Sequence, residues 1–394
     1  MKVAGIICEY NPFHLGHAGH IEMTRQALGG DSAIVCVMSG NFVQRGEPAV
    51  FNKHARSGMA IRCGADLVVE LPLPYALSSA EGFARAGVYI LDRLGICEYI
   101  SFGSELGDIG PLRDAAGLIV SKEAEAHLKL WLKKGFPYAT AQQRAADAVM
   151  GEQSALFKSP NNLLGIEYLK ALAMLESPLR PITVERTGGT HDSDKGFSAS
   201  AIRKKLLCAD DPWALMPLDA ALVTKEEIAS GRGPVSMKSC ELAMLSRLRA
   251  MVDYSTLPGA TEGLEHRLMR FAASEPSVDA ILEKVKTKRY AMSRLRRMLM
   301  CACLGITAGD SREPPPYIRV LAMNRTGRML LREAGKLSEL PIITKPASVQ
   351  KLSERAVGLF LKEAAATDFY SLAYPDEGKR HGGQEWRQTP FLLD

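Results

Sequence analysis

The sequence lacks any apolar run of about 18 residues, the length that a helix needs to span a membrane. After Lys2 only five apolar residues follow, at 3–7, which is too short for the apolar region of a signal peptide. Internal repeats are also missing, and low complexity is confined to the three prolines at 314–316. We therefore expect a cytoplasmic globular protein that does not bind a membrane.

Cysteine is sparse and shows no pairing pattern, with eight copies at positions 8, 36, 63, 97, 208, 240, 301 and 303. Several lie inside apolar, strand-like runs, which favours buried reduced thiols over a disulfide framework. One residue separates Cys301 from Cys303, so this pair lacks the spacing of a zinc finger. We expect no metal ion held by a dedicated set of side chains.

A strong excess of one charge is also lacking, since the formal net charge is only +5. The two halves of the chain nevertheless differ in their balance of basic and acidic residues. Residues 1–200 hold 19 Lys and Arg against 21 Asp and Glu, whereas residues 201–394 hold 30 against 23. Residues 284–297 contain seven basic side chains, no acidic one and an aromatic, Tyr290. Such a segment suits the phosphates of a nucleic acid, with a solvated helix face as the alternative.

The composition that is present, 46% hydrophobic and 24% charged over 394 residues, is that of a globular protein of two or three domains. Short apolar runs predict strands at 3–7, 33–38, 67–71 and 99–102. Helical spacing between them predicts helices at 17–28, 52–63 and 79–94. This alternation favours right-handed βαβ units in a doubly wound parallel sheet, whose ligands bind where the strands end.

After this region the pattern becomes mainly helical. Residues 111–178 have helical spacing, 181–186 predict another strand, and a further mainly helical region begins near residue 206. A small terminal α/β element follows, with strands predicted at 317–323 and 340–344 and a helix at 326–339. We predict two domains, an α/β domain over 1–205 and a mainly helical, basic domain over 206–394.

The first predicted strand leads directly into the motif His14-Leu15-Gly16-His17. Free backbone N–H groups and the helix dipole attract phosphate oxygens at a helix start. Gly16 has no Cβ, so the backbone can come close to a ligand there. The alternative is that both histidines are capping or packing residues at a helix start.

A second motif follows the strand predicted at 181–186 and contains Ser198, Ser200 and Arg203. A serine hydroxyl at a helix start can bind the free backbone N–H groups there, and Arg203 supplies a permanent positive charge for phosphates. Serine-rich helix starts with basic residues are common, so this motif is weak when it stands alone. Its value lies in its combination with the two histidines.

Together the two motifs resemble those of the nucleotidylyltransferase superfamily, which carries HxGH and a later ISSTxxR-like sequence. In that superfamily the histidines hold the triphosphate and stabilise the transition state, and the later motif binds the β- and γ-phosphates. Here Phe197 replaces the isoleucine and Ala199 replaces the second serine of the later motif. Ser198 and Ser200 therefore remain as the candidate hydroxyl ligands.

Longer blocks resemble the bacterial tRNA(Met) cytidine acetate ligases, through residues 1–205 and more loosely into 340–346. These blocks are residues 9–17, 38–49, 66–72, 102–105 and 159–162. The resemblance implies an enzyme that uses ATP to adenylate acetate. It then implies transfer of the acetyl group to N4 of the wobble cytidine of elongator tRNA(Met).

The resemblance also implies a set of site residues. The catalytic candidates are His14, His17 and Arg203. The expected ATP contacts are Ile7, Cys8, Glu9, Tyr10, Asn11, Pro12, Phe13, His14, Leu15, Gly16, His17, Ala18, Gly19, His20, Gly103, Asn161, Arg186, Ser198, Ser200 and Arg203. A divalent ion, Mg²⁺, would shield the triphosphate and needs no protein cage.

The basic second half is the candidate surface for tRNA. Its expected phosphate contacts are Lys284, Lys286, Lys288, Arg289, Arg296 and Arg297. Nearer the motifs, Arg45, Lys53 and Arg56 are candidates to meet the anticodon loop, or are ordinary surface charges.

Two other functions are compatible with the same motifs. One is a small-molecule adenylyltransferase, which would not need the basic second half. The other is a nucleotide-sensing RNA-binding protein without turnover, against which the intact His14, His17 and Arg203 argue.

Overall fold

A computed structural model describes residues 1–136, 138–185 and 198–394. The strands in these ranges are β1 (Lys2–Cys8), β2 (Ser32–Ser39), β3 (Phe42–Val43), β4 (Glu47–Pro48), β5 (Leu67–Leu71), β6 (Tyr99–Ser104), β7 (Arg180–Glu185), β8 (Ile318–Met323), β9 (Ile342–Ile343) and β10 (Phe391–Leu392). The four strands predicted in the first hundred residues are confirmed as β1, β2, β5 and β6.

The helices of the described ranges are α1 (Leu15–Leu28), α2 (Lys53–Arg62), α3 (Leu73–Ala76), α4 (Ala80–Arg93), α5 (Ile109–Ile119), α6 (Lys122–Lys133), α7 (Tyr138–Met150), α8 (Pro160–Met174), α9 (Ala199–Leu207), α10 (Leu218–Ala229), α11 (Glu241–Ala250), α12 (Leu264–Ser274), α13 (Val278–Val285), α14 (Met292–Leu304), α15 (Arg325–Leu337), α16 (Glu354–Ser371) and α17 (Gln384–Arg387). Polar side chains cap several first turns. Asn52 accepts the Ala55 N–H at α2, and Ser79 accepts the Gly82 N–H at α4.

One mixed sheet organises the fold, with its strands in the order β10-β8-β5-β2-β1-β6-β7 and with β9 beside β8. The pairs β1–β2, β1–β6, β2–β5 and β6–β7 are all parallel. Every residue of β2 is buried, as expected for a central strand whose two faces are covered. The predicted α/β fold with a parallel sheet is confirmed, and the carboxyl ends of β1, β2, β5 and β6 meet at one edge.

Strand β8 departs from the predicted arrangement. It was predicted to belong to a small α/β element of the second domain, whereas it pairs antiparallel with β5. β10 then pairs with β8 at the outer edge of the same sheet. Residues 318–323 and 391–392 therefore extend the sheet that begins with β1. The domain boundary at residue 205 itself stays a prediction.

A second hydrophobic core lies in the helical region after residue 234. Leu245, Leu268 and Leu299 of α11, α12 and α14 are buried together in it. Phe42 of β3 and Phe369 of α16 belong to the same core. The helical region thus packs through apolar contacts against the part of the chain that contains the sheet.

All eight cysteines lie in the described ranges, and none of them forms a disulfide. Burial raises the pKa of both Cys97 and Cys301 to about 12. These thiols therefore stay protonated and unreactive near neutral pH. Within the described ranges, no helix combines the length and the apolar character needed to cross a membrane.

A buried charge cluster joins α2, β5, β8, α16 and α17. Its members, each at most 4% exposed, are Lys53, Glu70, Arg319, Glu363 and Glu385. The Lys53 Nζ lies 2.7 Å from Glu70 Oε1 and 2.6 Å from Glu385 Oε1. Arg319 forms an ion pair with Glu385 as well. Lys53 therefore cannot reach an anticodon loop, and the expectation that it does so is wrong.

Arg56 is also fully buried, which makes its expected contact with an anticodon loop wrong too. Its guanidinium donates hydrogen bonds to the carbonyl oxygens of Phe51 and Ser39, both at 3.0 Å. It also donates to the carbonyl oxygens of Glu9 and Gly40. Arg56 therefore ties together the segments that follow β1 and β2, at the edge where ligands bind in such sheets.

Candidate active site

The loop between β1 and α1 holds His14 and His17 against each other at the start of the helix. His14 is the N-cap of α1, and its Nδ1 accepts the Gly16 N–H at 3.1 Å. The Nδ1 of His17 accepts the His14 N–H at 3.3 Å. The two rings stack with their centroids 3.7 Å apart. Both histidines therefore cap the helix, and this capping orients both imidazoles.

These two hydrogen bonds determine which ring nitrogen carries the proton. Because each Nδ1 accepts a backbone N–H, a neutral ring at either position carries its proton on Nε2. Both side chains line a single large cleft, which we call the active cleft. The pair is thereby suited to donate N–H groups to phosphate oxygens.

The backbone just before the histidines is supported on several sides. Tyr10 has a φ of +45°, a left-handed conformation that costs a non-glycine residue about 1–3 kcal/mol and persists only with support. Its ring packs against Phe13 and His17, with centroid distances of 4.7 and 4.8 Å. The Asn11 Oδ1 accepts the Val50 N–H at 2.7 Å. Contacts within the protein therefore hold the loop in this shape.

The later motif contacts the same loop. Arg203 donates from Nη1 to the carbonyl oxygen of Asn11 at 2.8 Å, across 192 residues of sequence. It also donates from Nη2 to Ser200 Oγ at 3.2 Å. Ser198 caps α9, where its Oγ accepts the Ala201 N–H at 3.2 Å. Burial lowers the pKa of Arg203, yet a guanidinium remains charged near neutral pH.

The loop after β6 is joined to the start of α8. Glu105 Oε1 accepts the Asn161 Nδ2 at 2.6 Å, and Glu105 Oε2 accepts the Asn162 N–H at 3.0 Å. The Asn162 Oδ1 in turn accepts the Glu105 N–H at 3.0 Å. Gly103 and Asn161 both line the active cleft. The segments around His14, Gly103 and Asn161 therefore all reach the active cleft.

The active cleft has a volume of about 1130 Å³, slightly above the range of about 300–1000 Å³ that is typical of small-molecule sites. Thirteen of the expected ATP contacts line it, namely Ile7, Cys8, Glu9, Tyr10, Asn11, His14, His17, His20, Gly103, Asn161, Ser198, Ser200 and Arg203. The residues lining the cleft do not include Pro12, Phe13, Leu15, Gly16, Ala18 or Gly19. Arg186 lies outside the described residues. Contact of each of these residues with ATP stays a prediction.

Glu167 and Gln44 are among the lining residues that were not predicted as site residues. Glu167 of α8 is only 4% exposed, and burial is the main cause of its raised pKa. Its Oε2 lies 2.7 Å from the Lys170 Nζ. Gln44, beside β3, lines the same cleft. The sequence signal for Glu167 was its pairing with Lys170 inside an otherwise apolar helix. No sequence signal pointed to Gln44.

The basic segment at 284–297 divides into two parts. Lys284, Lys286 and Lys288 are exposed. Arg289 lines the active cleft and pairs with Glu262, Nη2 to Oε1, at 2.5 Å. The helical region thus supplies part of one wall of the cleft and an exposed basic surface beside it.

Arg296 and Arg297 instead contact the hairpin formed by β3 and β4. Arg296 forms an ion pair with Glu47, and Arg297 donates from Nη1 to the Gln44 carbonyl oxygen at 3.3 Å. On the other side of the hairpin, the Gln44 N–H donates to Glu9 Oε1 at 2.6 Å. The hairpin therefore connects the histidine loop with α14.

Paired imidazoles at the start of α1 and an arginine from a later helix meet at one cleft, the arrangement expected of a nucleotidylyltransferase. Residues 1–385 match a family model described as HIGH Nucleotidyl Transferase.

The tRNA(Met) cytidine acetate ligase of Acetivibrio thermocellus is 38% identical over 100% of both chains. The one from Caldicellulosiruptor saccharolyticus is 37% identical over 100% of this chain and 99% of its own. A crystal structure of Thermotoga maritima TmcAL bound with alpha-thio ATP matches with a TM-score of 0.93 and 33% identity over 100% of both chains. The chain belongs to the tRNA(Met) cytidine acetate ligase family.

Proposed function

We propose that this protein activates acetate with ATP and transfers the acetyl group to N4 of the wobble cytidine of elongator tRNA(Met), forming N4-acetylcytidine. The observation that carries the proposal is the direct joining of the histidine loop to Arg203 at one cleft. The full-length relatives that bear the acetate ligase name support it. A small-molecule adenylyltransferase is not favoured, because the relatives match end to end.

The first half-reaction needs oriented donors more than a covalent nucleophile. An acetate oxygen attacks the α-phosphorus of ATP, the bond to the bridging oxygen of the β-phosphate breaks, and pyrophosphate leaves with that electron pair. Negative charge grows on the phosphoryl oxygens and on the leaving group. The Nε2–H groups of His14 and His17 donate to these oxygens, and the Arg203 guanidinium binds the outgoing phosphates.

The second half-reaction transfers the acetyl group. The N4 nitrogen of cytidine attacks the carbonyl carbon of acetyl-adenylate, the bond to the phosphate oxygen breaks, and AMP leaves. The nitrogen loses one proton in the process, so the products are N4-acetylcytidine and AMP. The cytidine must leave its anticodon-loop stack to reach the cleft, which is how single-stranded RNA bases are ordinarily presented to proteins.

Mg²⁺ fits this site as a companion of the triphosphate. Among the described residues, no group of three His, Cys, Asp or Glu side chains is arranged to hold a metal ion. The cleft is lined by imidazole and guanidinium groups, which bind anions, and by separate carboxylates such as those of Glu9 and Glu167. Mg²⁺ typically keeps several waters and binds through substrate phosphates, where it neutralises part of their charge.

The proposed tRNA surface consists of the exposed lysines of residues 284–288 together with Arg289. Arg296 and Arg297 are proposed to act at the edge of the cleft, since both already contact the β3–β4 hairpin. A test of tRNA binding should therefore spare these two arginines. Lys286 is also left intact, because its ammonium donates to the Tyr290 carbonyl oxygen.

Replacing Lys284 and Lys288 with glutamate is expected to weaken tRNA binding about tenfold, because the variant loses about two phosphate contacts. Each such contact contributes roughly 0.9 to the slope of log K against log salt concentration. The affinity for tRNA is measured by filter binding between 50 and about 200 mM salt, where that slope is well resolved. Acetate-dependent ATP–pyrophosphate exchange should not change. The control replaces Lys345 and Lys351, two exposed lysines elsewhere on the chain, with glutamate. Equal losses in both variants would contradict the assignment.

The activity itself is tested by incubating the protein with labelled acetate, ATP and bulk tRNA. We expect label in acid-insoluble RNA, and nuclease digestion should release it as N4-acetylcytidine. Omission of ATP or of tRNA should abolish incorporation. No label in RNA would overturn the proposal, and pyrophosphate release that depends on a small metabolite would favour the adenylyltransferase alternative.

A further inference from the structure

The start of α8 lacks a cap of its own. Ser159 stands at the N-cap position without a side-chain hydrogen bond, Pro160 follows it, and the first turn contains no acidic residue. The acceptor that such a helix start requires comes from Glu105, whose Oε2 binds the Asn162 N–H. Glu105 is not among the residues that line the active cleft, whereas Asn161 is. Glu105 therefore contacts the site only through its neighbours.

The same carboxylate orients the Asn161 side chain. An amide can be turned so that either its nitrogen or its oxygen faces a partner, but an ionised carboxylate only accepts hydrogen bonds. The 2.6 Å contact with Glu105 Oε1 therefore holds Nδ2 of Asn161 toward Glu105. Reversal of the amide would place two oxygens in contact. Glu105 thus determines which amide group Asn161 can present to a ligand.

The charge of Glu105 also divides the cleft into two electrostatic parts. A carboxylate at the start of α8 occupies the N–H group that would otherwise attract an anion and repels phosphate oxygens nearby. At the α1 end, Arg203 and the Nε2 sides of His14 and His17 supply positive charge and N–H donors, and Glu9 there lies near Arg56 and Arg203. The α8 end of the cleft therefore suits an uncharged part of a ligand, and the α1 end suits its phosphates.

We propose that Glu105 is a positioning residue for the nucleoside part of ATP, acting through the amide of Asn161. This inference rests on the proposed function, since it requires ATP to bind in the active cleft. Glu105 touches neither the reacting phosphate nor the acetate in this assignment. Its removal should weaken the binding of every ligand that carries the nucleoside and spare ligands that do not.

The test measures binding of ATP, AMP and pyrophosphate by calorimetry to the full chain and to its Glu105→Ala variant. Loss of a charge-assisted hydrogen bond is expected to raise the Kd of ATP and of AMP about tenfold each. The Kd of pyrophosphate should stay within about twofold, because Glu105 does not act on the phosphate end. Asp108→Ala is the matched control, since Asp108 lies in the same loop and caps a different helix through the Gly110 N–H. That variant should leave all three affinities unchanged.

A double-mutant cycle with Asn161→Ala separates positioning from simple helix capping. If Glu105 acts through Asn161, Glu105→Ala should add less than about twofold to the loss that Asn161→Ala already causes. Additive losses, or an equal loss of pyrophosphate binding, would overturn the positioning role. Normal ATP affinity in Glu105→Ala would overturn it while leaving the proposed function intact. Failure of the unaltered protein to bind ATP would overturn both.

Discussion

Replacing His14 with asparagine is expected to lower acetate-dependent ATP–pyrophosphate exchange by about 100- to 1000-fold, the usual cost of one donor to a developing charge. The Nδ1 of His14 caps α1, so an alanine would also remove the cap. Asparagine is among the best N-cap residues and can still accept the Gly16 N–H. What it removes is the Nε2–H that we assign to the phosphate oxygens. The exchange rate at saturating ATP and acetate measures the effect.

His266, which is not among the residues that line the active cleft, provides the control for this variant. His266 is exposed over 78% of its side chain, and His266→Asn should exchange pyrophosphate at the normal rate. Thermal unfolding should show that His14→Asn retains the stability of the unaltered protein. Retention of more than about a third of the exchange rate in His14→Asn would contradict the role assigned to the imidazole.

Replacing Lys53 with methionine is expected to lower the free energy of unfolding by about 3–5 kcal/mol, the cost of removing one partner from a buried ion pair. Lys53 is only 1% exposed and lies between two carboxylates, Glu70 and Glu385. Without the ammonium, these carboxylates keep their ion pairs with Arg319, and Glu385 keeps its hydrogen bond from the Thr367 hydroxyl. Urea unfolding at pH 8, where glutamates are ionised in water, gives the most direct measurement.

Glu363 offers a control in the same cluster, because its replacement is not expected to lower the free energy of unfolding. Burial raises its pKa from 4.5 to about 7, with a further increase from Glu70, against the opposing effects of Lys53, the Leu73 N–H and Arg319. The folded protein thus holds this proton more tightly than the unfolded chain does. The resulting stabilisation is present below about pH 4.5 and is lost as pH rises toward 7.

Glu363→Gln mimics the protonated carboxyl and can still accept the Leu73 N–H. It should therefore be at least as stable as the unaltered protein at pH 8 and vary less in stability between pH 5 and about 8. Similar destabilisation by Lys53→Met and Glu363→Gln would show that packing, and not charge, governs the cluster.

The first half of the fold was predictable because its signals are local. Apolar runs, helical spacing and turn residues recur within each βαβ unit, so β1, β2, β5 and β6 follow from short windows of sequence. β8 was predicted as a strand from the same kind of signal. Its antiparallel pairing with β5 was not predictable, because the local sequence of a strand does not specify which strand it pairs with or in which direction.

In the candidate site, too, local features were predictable and three-dimensional contacts were not. The motif from His14 to His17 was identified from the sequence, but the reciprocal caps that orient the rings depend on three-dimensional contacts. The basic segment at 284–297 was interpreted as one surface. The turn of α14 instead directs Arg296 and Arg297 toward the hairpin, while the lysines before it remain exposed. Charge density along a chain does not specify the direction in which each side chain points.

The position of β8 and of the buried charge cluster bears on how the protein is made. The histidine loop leaves the ribosome before Arg319 and Glu385, which follow it by roughly 300 to 370 residues at the several residues per second typical of synthesis. Until then β5 has an unpaired edge, and Lys53 and Glu70 lack their remaining partners. An open hydrophobic strand edge invites pairing with other chains. The edge of β5 therefore stays open to such pairing until β8 has been synthesised, and the charge cluster is completed only when α17 follows.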